Sequence, residues 1–319
     1  MHTNKFYTTM KKILFTLAAV VLSAGMLSAQ DMSQATETAK MANESLVAGN
    51  KALALTGFQE ALALAAACGE EGAELVATCK GAIPNIMLSI AKDLIKEGNY
   101  DDAVSKLDEV IATAKEYGAA EVADEAATLV PQTLMAKGGD LLKDKNFTAA
   151  AETYKKALEL DPENGNLALR LGQALSGAGK VDEAVAAFET AAKNGQEEMA
   201  NKQISNLYLK QAAAALKGGK YADAVAAALK TNEYGENAQA FLVAGQASQK
   251  LGKNNDAIKY FEKYLEAAPT AKNAAAIAFT VAALYQKAGN KAKASEFYKK
   301  VLNDPQLGAQ AKQQLDALK

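Results

Sequence analysis

The sequence predicts an all-α fold of stacked antiparallel helix pairs, on three observations. Alanine is abundant, tryptophan is absent and only five prolines occur in 319 residues, which is the composition of helices packed closely on one another. One pattern returns seven times: a small residue, a turn with glycine, a small residue, a bulky residue, then a small or apolar pair. Lysines are spread thinly among acids, as on solvated helix faces.

In residues, the first and weakest copy uses Ala42, Gly49, Phe58 and Ala61. The second reads Gly98, Tyr100, Ala103, Leu107 and Val110; the third Phe147, Ala150, Tyr154, Ala157 and Pro162. The fourth reads Gly172, Gly179, Ala184, Phe188 and Ala191, and the fifth Ala212, Gly219, Tyr221, Ala224 and Ala228. The sixth follows with Gly245, Gly252, Ala257, Phe261, Leu265 and Pro269, and the seventh with Ala282, Tyr285, Gly289, Ala294, Tyr298 and Leu302.

This pattern resembles the tetratricopeptide repeat (TPR), a 34-residue helix-turn-helix unit, most closely in the third copy with its ending Ala157-Leu158-Glu159-Leu160-Asp161-Pro162. The resemblance implies a right-handed α-solenoid of about seven units. Small residues at the eighth and twentieth positions belong where the two helices of a unit cross. The bulky residue at the twenty-fourth is expected to fill the gap toward the next unit. Glycine at the fifteenth ends the first helix in a left-handed turn, and a terminal proline stops the second. No copy carries the family's Trp at the fourth position, and Gly57 falls inside the second helix of copy one.

Aligned by their turns, the copies are spaced by 49, 47, 34, 40, 33 and 37 residues. The early excess repeats too: Ala73-Glu74-Leu75-Val76 with Ile83-Pro84 returns 47 residues later as Ala120-Glu121-Val122-Ala123 with Val130-Pro131. Each predicts a helical extension ahead of the following unit, kinked or restarted at the proline. The organisation expected is long divergent units over 31–130, a regular array over 131–306 and a capping helix over 307–319 that covers the last apolar face.

Residues 1–30 read as a secretory signal. Lys5, Lys11 and Lys12 precede an uncharged apolar stretch of 15 residues, Ile13 to Leu27, and the small segment Ser28-Ala29-Gln30. Spanning a bilayer needs about 20 apolar residues, so cleavage near Ala29 or Gln30 is expected rather than an anchor. Met10 to Gln30 is a complete signal by itself, and no Cys follows for lipid attachment. The destination expected is the periplasm, the outer membrane or the exterior of a Gram-negative bacterium.

Cleavage would remove three lysines from a chain of 35 basic and 37 acidic side chains and shift the net charge from −2 to −5. Nucleic acid is excluded as a partner, since binding it relies on clustered Lys and Arg and the only Arg is Arg170. His2, the sole histidine, lies in the signal, so the exported chain has no imidazole for a catalytic triad or a zinc site. Cys68 and Cys79 read as buried free thiols. A tight Gly69–Gly72 turn would leave their Cα atoms roughly 9 Å apart, beyond the reach of about 7 Å that a disulfide tolerates; oxidation remains the alternative. Gly179-Lys180 lacks the P-loop glycines. Asp161-Pro162-Glu163-Asn164-Gly165 has Gly172 where a calcium loop needs its bidentate Glu. No cofactor, metal or catalytic residue is expected.

The resemblance implies that the first helix of each unit builds a concave wall. At its second, fifth, sixth, ninth and twelfth positions stand Asn166, Arg170, Gln173, Asn206, Lys210, Gln239, Gln246, Gln249, Phe279 and Gln286. This amide-rich wall suits a protein or peptide partner. Gln173 and Gln246 hold the ninth position where relatives use Asn, and Leu169 stands where a carboxylate-clamping Lys would be, so a terminal-carboxylate clamp is not expected. The function expected is a non-catalytic interaction scaffold. The alternatives are a helical-repeat protein that binds or processes an envelope glycan, which would want aromatic platforms and paired acids, and a self-associating subunit, with homodimers compatible with a capped end.

Overall fold

The computed structural model describes residues 30–319, so the segment read as a signal lies outside the described residues. Those residues form seven antiparallel helix pairs and one closing helix, and no strand is present among them. They divide into two compact units, one ending at Lys137 and the other beginning at Gly138.

The first unit contains α1 (Gln30–Val47), α2 (Lys51–Ala67), α3 (Ala73–Lys96), α4 (Tyr100–Tyr117) and most of α5 (Ala120–Lys143). Asn50 caps α2 by accepting from the Leu53 N–H at 3.1 Å. The core is a ladder of alanines and branched residues: Ala54, Phe58, Ala61 and Ala65 on α2, Ile83, Ile86, Met87, Leu88 and Ala91 on α3, and Ala103, Leu107, Val110 and Ala114 on α4. Gly57 lies inside α2 where α1 crosses closest; a Cβ there would sit 2.8 Å from Ala42 Cβ. The residue that weakens copy one as a pattern is therefore what lets its two helices meet. Lys51–Asp93, Lys92–Glu125 (2.6 Å) and Lys137–Asp101 (2.5 Å) tie neighbouring helices at the surface.

The expected restart at the prolines does not occur. α3 and α5 each run 24 residues without a break through Pro84 and Pro131. Each proline costs its helix one backbone hydrogen bond, and burial of the flanking residues offsets the loss: Ile83, Pro84, Ile86 and Met87 are buried around the first, and Val130, Thr133 and Leu134 around the second. Asn85 adds a side-chain bond to Gly81 O at 2.8 Å.

The second unit takes the rest of α5 and continues with α6 (Phe147–Leu160), α7 (Gly165–Gly177), α8 (Val181–Ala191), α9 (Glu197–Lys217), α10 (Tyr221–Glu233), α11 (Ala238–Lys250), α12 (Asn254–Ala267), α13 (Ala274–Lys287), α14 (Lys291–Val301) and α15 (Gly308–Ala317). From α6 onward each helix packs against its chain neighbours, and α9 also touches α11, the first helix of the next pair. That nearest-neighbour order is the packing of an α-solenoid. Leu307, Leu315 and Leu318, at the ends of α15 and within it, lie on the apolar cluster of the last two pairs.

All seven expected turns are left-handed. Gly49, Gly98, Gly179, Gly219, Gly252 and Gly289 have φ between 71° and 81°, and Lys145 occupies the third turn at φ 58°. The bulky residue at the twenty-fourth position packs inside its own pair in three copies. Its ring lies on the eighth-position glycine of its own pair: Tyr154 on Gly138, Phe188 on Gly172 and Phe261 on Gly245, where an added Cβ would come within 2.5–2.7 Å. The reason is steric, since only a missing side chain admits a flat ring between helices this close.

Both cysteines are free, Cys79 buried and Cys68 only half-buried, so the expectation of two buried thiols is corrected for Cys68. The Cys68 thiol donates to Leu64 O at 3.3 Å. Burial raises the Cys79 thiol pKa above its ordinary value.

Candidate functional site

All ten wall residues stand on first helices of the second unit: Asn166, Arg170 and Gln173 on α7, Asn206 and Lys210 on α9, Gln239, Gln246 and Gln249 on α11, and Phe279 and Gln286 on α13. None is buried. Their orientation follows from the opposite stripe of each helix. On α7, Leu167, Ala168, Leu169, Gly172, Ala174 and Leu175 are buried, which turns Asn166 and Arg170 outward. Asn164 caps α7 by accepting from the Leu167 N–H at 3.1 Å, and Asn237 caps α11 by accepting from Gln239 N–H at 3.0 Å.

The ten are not equivalent. Asn166, Arg170, Asn206, Lys210, Gln239 and Gln249 are exposed, while Gln173 and Gln246 are half-buried. The Arg170 guanidinium donates to Gln173 Oε1 at 3.3 Å, which brings the two together. Phe279 and Gln286 are drawn into the packing of the last pair. Phe279 meets the Tyr298 ring edge-on at 5.1 Å between centroids. Gln286 accepts from the Tyr298 hydroxyl at 2.7 Å and donates to Gln314 of α15 at 3.2 Å.

A concavity lies on the other set of helices. A cleft of about 720 Å³ opens between α6 and α8, floored by Leu171 and Leu175 of α7 and walled by Leu158, Pro162 and Ala187, with Glu152, Lys155, Glu159, Lys180 and Glu183 among its lining. Sequence reasoning aimed at first helices misses it, because the cleft arises from the spacing between second helices of successive pairs.

Tyrosine–carboxylate bonds join successive pairs around these surfaces. The Tyr234 hydroxyl, just past α10, donates to Glu189 of α8 at 2.7 Å, and this bond to an ionised carboxylate pushes its pKa up to about 12. Tyr285 of α13 donates to Glu262 of α12 at 2.8 Å; burial, then this bond, raise it to about 12. Among the described residues no group of three or more His, Cys, Asp or Glu could hold a metal ion, and no helix is long and apolar enough to cross a membrane.

Two family models described as tetratricopeptide repeat match consecutive stretches, residues 141–207 and 209–272. No curated protein matches the chain. Among solved structures, the crystal structure of YrrB, "a TPR protein with an unusual peptide-binding site", is 22% identical, with a TM-score of 0.32 over 57% of this chain and 91% of that one. MamA from Desulfovibrio magneticus RS-1 is 15% identical, with a TM-score of 0.33 over 58% of this chain and 97% of that one. The C-terminal part of a TPR repeat-containing protein from Cytophaga hutchinsonii is 16% identical, with a TM-score of 0.36 over 72% and 99%. The matched stretches begin inside α5 and end after α12, on helix pairs closed by the left-handed turns at Lys145, Gly179, Gly219 and Gly252, and this part of the chain is an array of tetratricopeptide repeats.

Proposed function

We propose that this protein is a non-catalytic scaffold of the bacterial cell envelope that holds an extended segment of a partner protein along the first helices of its second unit. The observation that carries the reading is the row of exposed amides and cations on α7, α9 and α11, namely Asn166, Arg170, Asn206, Lys210, Gln239 and Gln249, inside the stretch matched to tetratricopeptide repeats. Amides donate and accept at once. Side chains of this kind suit the alternating N–H and C=O groups of an extended backbone, which recognises a segment with little demand on its sequence. The envelope location rests on the lysines and the apolar stretch of residues 1–30.

A second reading of where binding occurs comes from the α6/α8 cleft, whose apolar floor suits one or two bulky side chains. Affinity capture from envelope fractions separates the two. A partner lost with Arg170→Ala, Gln173→Ala, Asn206→Ala and Gln246→Ala combined, and kept with Leu158→Gln and Leu171→Gln, places binding on the first helices. The reverse result moves it to the cleft, and loss of no partner with either variant overturns both assignments. Each variant is checked for unchanged helicity.

A further inference from the structure

Charge is distributed unevenly along the chain. Residues 31–137 carry 17 acids and eight lysines, a net charge of −9, whereas residues 270–319 carry eight lysines and three acids, a net charge of +5. The residues between are close to neutral. A tally over the whole chain conceals this, because the two ends largely cancel.

Ion pairing inside the fold sharpens the contrast. In the first unit Lys40, Lys51, Lys92, Lys96, Lys106 and Lys137 are each engaged with a carboxylate. Glu44, Glu60, Glu70 and Glu71 are exposed and take no lysine among the described residues. At the other end the situation reverses. Glu296 takes Lys293 and Lys300, and Asp316 takes Lys319. Lys272, Lys287 and Lys299 are exposed and meet no carboxylate among the described residues. The acidic unit also presents exposed apolar side chains, Met41 at 59%, Val47 at 82% and Leu53 at 57%, on its first pair.

We infer that the basic last pair of one copy docks on the acidic first unit of another, a head-to-tail contact between two different surfaces. A second copy is favoured because its first unit offers exposed carboxylates together with the exposed Met41, Val47 and Leu53, a surface complementary to the basic end. Another copy offers the −9 unit directly to the +5 end. Such a contact joins unlike faces, so it leaves one of each free on every dimer and adds further copies until a ring closes. Being built from solvated charges, it weakens as the Debye length falls from about 20 Å to a few ångströms with added salt. This inference is independent of which face holds a partner protein.

Sedimentation velocity on the purified protein tests it, at about 20 mM and about 500 mM NaCl over a concentration series. The mean mass is expected to rise about twofold or more with concentration at low salt and to return to the monomer at high salt. Two variants then identify the surfaces. Lys272→Glu, Lys287→Glu and Lys299→Glu take the basic end from +5 to −1; Glu44→Lys, Glu60→Lys, Glu70→Lys and Glu71→Lys take the acidic unit from −9 to −1. Each variant alone is expected to stay monomeric with native circular dichroism. Mixed, they are expected to form a 1:1 dimer that grows no further, since the first keeps its acidic unit and the second its basic end. A protein that stays monomeric at low salt overturns the proposal, as does association that survives the lysine reversals. Binding to phosphatidylglycerol vesicles without self-association would assign the basic end to lipid and overturn it equally.

Discussion

Phe261 lies flat against Gly245, so that a Cβ added to the glycine would fall 2.5 Å from Cδ1 and 2.6 Å from Cε1 of the ring. The ring is 1% exposed and belongs to the apolar cluster of the last two pairs, so it has nowhere to retreat without opening the core. Gly245→Ala is therefore expected to destabilise by about 1–3 kcal/mol, the cost of overpacking a closed core. Gly172→Ala, facing Phe188 in the same way, is expected to behave alike. Gly81→Ala is the control: Gly81 is exposed in α3 with nothing within 4 Å of an added Cβ, and the change is expected to stabilise by about 0.5–1 kcal/mol. Urea unfolding followed by circular dichroism measures all three.

Lys145 sits at φ 58° in the third turn, where six sister turns have glycine. A left-handed conformation costs a residue with a Cβ about 1–2 kcal/mol. Lys145→Gly is expected to recover about 1 kcal/mol of this, the remainder being lost to the greater freedom of glycine in the unfolded chain. Gly179→Ala and Gly252→Ala are expected to lose a similar amount. A rise in Tm for the first and a fall for the others is the readout.

The Tyr234–Glu189 and Tyr285–Glu262 bonds make stability depend on alkaline pH. Both phenols have a folded pKa of about 12 against an ordinary value of 10.0. A raised folded pKa means that the proton is held more tightly in the fold, so the contribution is complete below about pH 10 and is lost as pH rises toward 12. Stability measured across this range is expected to fall, and to fall less in a Tyr234→Phe, Tyr285→Phe double variant. Absorbance titration of Glu189→Gln is expected to show the Tyr234 phenolate appearing at lower pH than in the parent.

Thiol titration reports on the first unit. The folded protein is expected to present one slowly reacting thiol, Cys68, with Cys79 unreactive because it is buried and its raised pKa disfavours the thiolate. Two thiols are expected to react on unfolding without reductant. A count of zero under unfolding conditions would reveal a disulfide.

Much of this architecture was written locally. Six of the seven turns follow from a glycine set between recurring small and bulky residues, and the lysine turn was placed by its neighbours Phe147 and Ala150. What depended on distant packing was not. The unbroken course of α3 and α5 through Pro84 and Pro131 is decided by burial around each proline, which a rule about backbone donors does not weigh. The exposed wall residues of α7, α9 and α11 were legible because each faces away from a buried stripe of its own helix. Gln286 occupies the same helical position as Gln249 yet packs, like Phe279, on Tyr298, a partner supplied by the facing helix. The α6/α8 cleft has no signature at all, since its walls are ordinary second-helix residues that become a cavity only when two pairs are set side by side.

The ring-on-glycine contact also bears on how such a chain can change over generations. Gly138 and Tyr154, Gly172 and Phe188, and Gly245 and Phe261 are each sixteen residues apart and each within one pair. Duplicating or deleting a whole pair therefore copies or removes both halves of the contact together, and the array can gain or lose length without reinventing its core. The Tyr234–Glu189 bond spans 45 residues and two pairs, so an event at that junction severs it or gives its members new neighbours. Inheritance by whole pairs thus preserves the interior and leaves the seams between pairs as the place where variation accumulates.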